Sequence, residues 1–159
     1  MKLLVVALGH RMPEWVGAGF EEYAKRMPRE ARLTLVELKP ERRGAHAGAR
    51  ETERALDAEA RRIAAALPKG CYRVVLDERG ERLTTHQLAG RMGTWRQGGR
   101  DVGFIIGSAD GTAGALRAEA DLVWSLSALT LPHQLARIIL AEQLYRAASM
   151  LSGHPYHRE

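Results

Sequence analysis

SLSALTLPHQLARIILAEQLYRAASMLSGHPYHRE, residues 125–159, decides how this chain is to be read. An apolar strand end leads into a turn, and a long amphipathic helix follows over about residues 132–151. The stretch closes on two histidines, a tyrosine, an arginine and a glutamate. Chain ends are usually mobile and chemically bland. A terminus that gathers imidazole, phenol and guanidinium groups is therefore a candidate for function.

Upstream of that stretch, short β-rich runs alternate with longer helical patterns. Strands are expected at KLLVVALG (2–9), LTLVELK (33–39), YRVVLD (72–77), DVGFIIG (101–107) and LVWSLS (122–127). Helices are expected over about 13–27, 49–67 and 85–97, with a short one near 113–119. This alternation predicts an α/β fold with a mostly parallel sheet and helices on both faces. VVAL and FII are continuously apolar, as buried central strands require. At 159 residues the chain is read as a single domain over 1–159, long enough to bury about 70% of its unfolded surface. The charged helix over 49–67 reads as a surface helix with ion pairs along its length.

Composition removes several classes of function. No apolar run approaches the ~18 residues of a membrane span, and MKLLVVALGH reads as the first strand and not as a secretory leader. Cys71 is the single cysteine, so no internal disulfide, zinc cluster or redox pair can form, and a reducing cytoplasm is the expected compartment. Lys and Arg total 24 against 19 Asp and Glu, and lysine occurs only at Lys2, Lys25, Lys39 and Lys69. The positive charge is thus mostly arginine, whose planar fork suits phosphate and base stacking. A nucleic-acid partner and a plain bias toward Arg both account for it. The loop around 40–50 (PERRGAHAGAR) is either a solvated connection or a mobile basic loop with Arg42 and Arg43 as RNA contacts.

Ligands of parallel α/β sheets bind beyond the carboxyl ends of the strands. Three such places stand out: 76–80 (LDERG), 107–111 (GSADG) and 125–132 (SLSALTLP). The glycines spell neither GxGxxG nor GxxxxGK[ST], which argues against the familiar dinucleotide and ATP sites. SLSALTLP is too apolar for a free surface loop and is expected to be covered. It reads either as a buried connection or as a pocket wall whose backbone meets an adenine between leucines.

With LDERG, FIIGSADG, SLSALTLPHQLARIILAEQLYRAASM and HPYHRE on the page, the chain closely resembles the bacterial large-subunit ribosomal RNA pseudouridine-N3 methyltransferases of the SPOUT class. The resemblance runs from GHRMPEWV near the start to the last residue. It implies a deep C-terminal trefoil knot and S-adenosylmethionine held by Leu76, Gly107, Leu126, Ser127, Ala128, Leu129, Thr130 and Leu131. It also implies a homodimer in which one subunit's tail completes the other's site. His154, Tyr156 and Arg158 are then the catalytic candidates, and His157 and Arg158 face RNA. His133, beside the cofactor loop, is a further imidazole near the site. The implied substrate is 23S ribosomal RNA on the assembled ribosome, with no metal and no membrane. Where the family has GGPEG this chain has GSADG, which leaves the role of Asp110 open. The alternatives are a knotted enzyme acting on tRNA and a basic ribosome-binding module without catalysis.

Overall fold

The structure is a computed structural model and describes residues 1–158. The strands are β1 (Lys2–Leu8), β2 (Arg32–Leu38), β3 (Tyr72–Arg82), β4 (Val102–Ile106) and β5 (Leu122–Ser125). They form one sheet in the order β2-β1-β4-β3-β5, and every pairing is parallel. The helices are α1 (Glu14–Ala24), α2 (Ala49–Ala66), α3 (Thr85–Gly98), α4 (Gly114–Ala118) and α5 (His133–Leu151). Two 3-10 turns, Arg29–Ala31 and Pro155–His157, complete the elements.

Alternation along each strand sorts the side chains into two layers. Leu3, Val5, Ala7, Val74, Phe104 and Ile106 share one core with residues of α1, α3 and α5. Val6, Leu8, Val75 and Ile105 share the other with Ile63 of α2 and Leu116 of α4. Both faces of the sheet are therefore covered, and β4 is buried at every position. The helix starts follow local chemistry. Thr84 and Gln87 make a capping box at α3, and Pro132 stands at the N-cap of α5.

Two expectations are corrected. The strand expected over 72–77 continues to Arg82, because β3 leaves register with β5 after Leu76 and rejoins it at Glu81 opposite Trp124. LDERG is thus an irregularity within a strand and not a loop after one. At Gly80 a Cβ would lie 2.7 Å from the backbone of Val123 and Trp124, so only glycine lets β3 recross β5 there. The tail folds into a 3-10 turn over Pro155–His157. On α2, Glu59 and Arg62 pair outward with the 39–43 segment instead of along the helix. Among the described residues, no helix is long and apolar enough to cross a membrane.

Candidate active site

The irregularity within β3 and the carboxyl ends of β4 and β5 open on a cleft of about 340 Å³, in the size range of small-molecule sites. Leu76 comes from β3, Gly107 from just past β4, and Leu126, Ser127, Leu129, Thr130 and Leu131 from the connection between β5 and α5. Of the eight residues expected to hold a cofactor, all but Ala128 line this cleft; Ala128 is exposed in the same loop. The loop keeps its shape through its own hydroxyls. Ser125 Oγ donates to Ser127 O at 2.9 Å, and Leu129 N donates to Ser127 Oγ at 2.9 Å. The expectation that this apolar loop is covered fails within one chain, since Leu129 is 73% exposed.

Packing fixes the second wall. A Cβ on Gly107 would sit 2.3 Å from Gly111 O, so a side chain there would push the turn apart. Gly111 N donates to Ser108 O at 2.8 Å and closes that turn. Asp110 has a definite partner: Arg43 Nε lies 2.7 Å from its Oδ2. Arg43 also reaches Glu59 Oε1 with Nη2 at 3.0 Å and Ser108 Oγ at 3.3 Å. The fork of this expected RNA contact is thus engaged inside the protein, and the Glu59 hydrogen bond raises its pKa. Arg42, beside it, is exposed.

Two further residues line the cleft: Asp77, which sequence reading did not single out, and His133, which it placed beside the cofactor loop. Asp77 lines it with only 8% of its side chain exposed. Its Oδ1 accepts from Arg79 N at 2.9 Å, and Arg117 Nη1 lies 3.8 Å from Oδ2. Arg79 Nε also lies 3.4 Å from Oδ1, so a cationic ligand here would share this carboxylate with two arginines. An acidic residue directly after the apolar run of β3 was the available signal. His133, the first residue of α5, also lines the cleft, and its Nδ1 is buried without a hydrogen-bond partner among the described residues. Burial, then the charge of Arg137, lowers its pKa. A neutral imidazole at a helix N-terminus follows. Arg137, one turn on and almost wholly buried, ties three elements together. Its Nη1 lies 2.6 Å from Glu37 Oε2, and its Nη2 donates to Gly9 O at 2.8 Å.

The tail lies elsewhere. His154 N donates to Ser149 O at 2.9 Å, and His154 Nδ1 accepts from Tyr156 N at 3.2 Å. Tyr156 Oη donates to Glu142 Oε1 at 3.1 Å, with its ring 4.6 Å from Tyr145 and the Arg146 guanidinium 5.0 Å from its centre. Burial, reinforced by Glu142, pushes the phenol up to about 12. His154 and Arg158 are exposed, while His157 is half-buried. None of residues 153–158 lines the cleft. Their anchor at Glu142 is six residues beyond Ala136 at its rim, roughly 9 Å along the helix axis. The structure gathers the cofactor candidates in one place and keeps His154, Tyr156, His157 and Arg158 together in another. Among the described residues, no cluster of three or more His, Cys, Asp or Glu could hold a metal.

S-adenosylmethionine fits the donor set of the cleft. Leu76, Ile106, Leu126 and Leu131 offer apolar walls to an adenine, the connecting backbone offers its hydrogen-bonding groups, and Asp77 faces a positive charge. A small-ligand cleft at the carboxyl edge of a parallel sheet places the chain among α/β enzymes of the nucleotide-binding kind. Residues 1–157 match the family described as Predicted SPOUT methyltransferase. The chain is 59% identical over 158 residues to the ribosomal RNA large subunit methyltransferase H of Nitrosospira multiformis, covering 99% of each. A probable methylase family protein from Haemophilus influenzae shares the fold, with a TM-score of 0.51 at 12% identity over 99% of this chain and 70% of that one. The SpoU methyltransferase AviRb from Streptomyces viridochromogenes, solved with the cofactor AdoMet, matches 97% of this chain with 58% of its own length, at 15% identity and a TM-score of 0.47. The chain belongs to the ribosomal RNA large subunit methyltransferase H family of the SPOUT class.

Proposed function

We propose that this chain methylates N3 of a pseudouridine in 23S ribosomal RNA on the assembled ribosome, as a homodimer with S-adenosylmethionine as donor. The observation that carries the reading is the apolar cleft at the β3 irregularity and the ends of β4 and β5, paired with a chemically rich tail fastened outside it. The expected trefoil knot belongs to the same reading, as do a single domain and a cytoplasmic site of action.

S-adenosylmethionine supplies an activated methyl group on a sulfonium. The protein's work is alignment, which can contribute about 7 to 11 kcal/mol. Leu76, Gly107 and residues 126–131 hold the donor, and Asp77 balances its positive charge. The acceptor is an imide nitrogen that must lose its proton, and a positioned base contributes roughly 10²- to 10⁴-fold. His133 and the tail imidazoles are the bases within this reading. Arg158 stabilises the deprotonated imide oxygen, and Tyr156 offers a face to a base. Because the tail lies off its own cleft, it acts on the cleft of a second copy. Leu129, Leu135 (42% exposed) and Trp15 (52% exposed) support that arrangement. Gly19 meets Ile138 and Tyr23 meets Tyr145, so α1 and α5 run side by side in one direction, which puts Trp15 and Leu135 at the cleft end of the pair.

Methyl transfer from labelled S-adenosylmethionine tests the reading, with assembled ribosomes, separate subunits, naked ribosomal RNA and tRNA as acceptors. Ribosomes are expected to be methylated fastest, at a pseudouridine. Faster methylation of tRNA or naked RNA would overturn the substrate, and absence of saturable donor binding would leave a non-catalytic RNA-binding module. Removing residues 153–159 is expected to abolish transfer while donor affinity stays within about threefold; full activity in the truncated chain would overturn the role of the tail.

A further inference from the structure

We propose that Arg43 is a positioning residue for the donor: a two-sided clamp that sets the depth of the 107–111 turn in the cleft, rather than a contact to RNA. The proposal rests on the donor reading above. Arg43 does not line the cleft, yet it touches both the turn that does and the helix behind it.

Glu59 is 2% exposed, a carboxylate of α2 buried under the sheet edge. Such a group persists only when paired and hydrogen-bonded. Its Oε1 receives Arg43 Nη2 at 3.0 Å and Ser108 Oγ at 3.2 Å, and its Oε2 receives Glu41 N at 3.0 Å and Arg43 Nη1 at 3.4 Å. The guanidinium is held again by Glu41 O at 2.9 Å from Nη1. Its remaining edge, Nε, lies 2.7 Å from Asp110 Oδ2, an ion pair without hydrogen-bond alignment. One cation thus bridges a buried carboxylate on α2 and a partly exposed one at the cleft rim, a ring that Ser108 Oγ joins through Glu59 and Arg43.

Ser108 and Asp110 are two of the positions at which GSADG departs from GGPEG. Both departures enter the same ring, so the loop's path is fixed by side chains where the family pattern has a glycine and a glutamate. Without the clamp, Asp110 and the Ser108–Gly111 turn lose their tie to α2, and the wall next to Gly107 is free to move. The guanidinium meets Glu59 through both Nη atoms and Asp110 along its Nε edge, a spread over three nitrogens that the single nitrogen of an ammonium cannot reproduce.

Arg43→Lys keeps the charge beside Glu59 and removes the fork. Its melting temperature is expected within about 3 °C of the unaltered chain, while its dissociation constant for S-adenosylmethionine, measured by calorimetry well below melting, rises about tenfold. At saturating donor the turnover on ribosomes should stay within about twofold, so that the loss appears in KM. Hydrogen exchange at residues 108–111 of the donor-free protein should quicken in step. Asp110→Asn should weaken the donor alike, and the double variant no more than either single one. Wild-type affinity in Arg43→Lys, unchanged exchange at 108–111, or additive losses in the double variant would each overturn the clamp. Additive losses would mean that Asp110 acts on the donor itself. If the unaltered chain shows no saturable donor binding, the donor reading has failed and the clamp's role falls with it.

Discussion

His133 joins a burial problem to a chemical opportunity. Its imidazole lines the cleft with Nδ1 buried and unpartnered, and burial followed by the charge of Arg137 lowers its pKa. In the unfolded chain the same group titrates near 6.5. Between the folded value and 6.5 the unfolded state therefore binds more protons, and stability falls as pH drops through that window. Melting temperatures from pH 7.5 to 5 should decline less steeply for His133→Asn than for the unaltered chain. Equal slopes would show that the ring is free to take up its proton in the folded state. The residue scale also shows what sequence reading could see. The segments 76–80, 107–111 and 125–132 were legible because strand ends are where ligands bind, while the choice of Leu76, Gly107 and the leucines of 126–131 within them came from the family resemblance. Asp77 and His133 were harder to name, since their value comes from burial and missing partners, which depend on what packs around them.

At the scale of elements, the turn after β4 is governed by one backbone contact. Gly107→Ala would place a methyl 2.3 Å from Gly111 O and 2.6 Å from its carbonyl carbon. The turn must then open, and donor affinity is expected to fall by at least about tenfold. Calorimetry on the folded variant checks this, and wild-type affinity would mean that the turn does not shape the donor site. All five strands and all five helices were foreseeable from hydrophobic period and caps. The second half of β3 was not, because its pairing past Leu76 depends on β5 returning beneath Gly80 after a separation of more than forty residues. The turn Pro155–His157 was also hidden, because its fastening to Glu142 and Ser149 is tertiary.

For the whole molecule, the exposed apolar residues lie at the end that carries the cleft. Trp15, Leu129 and Leu135 are the area that the proposed homodimer would cover. Replacing Trp15 and Leu135 by Glu should shift sedimentation from dimer to monomer and abolish methylation, while donor binding persists within about threefold. A dimer unaffected by both charges would place the interface elsewhere. The net charge of +5 is consistent with an RNA acceptor but does not locate it. Sequence alone could not assign Arg43, whose guanidinium spans groups 16 and 67 residues away along the chain.

The tail is fastened to its own α5 about 9 Å beyond its own cleft, and on the proposed reading, in which it serves a second copy, the activity is divisible between two chains. A chain with a damaged cleft, Gly107→Ala, assayed at donor concentrations far below its raised dissociation constant, and a chain ending at Ser152 are each expected to be inactive as pure proteins. Unfolded and reassembled in equal amounts, half the dimers carry one of each, and in every such pair one intact cleft meets one intact tail. About one site in four should recover. Were the tail to serve the chain it belongs to, no mixture of the two would recover any activity.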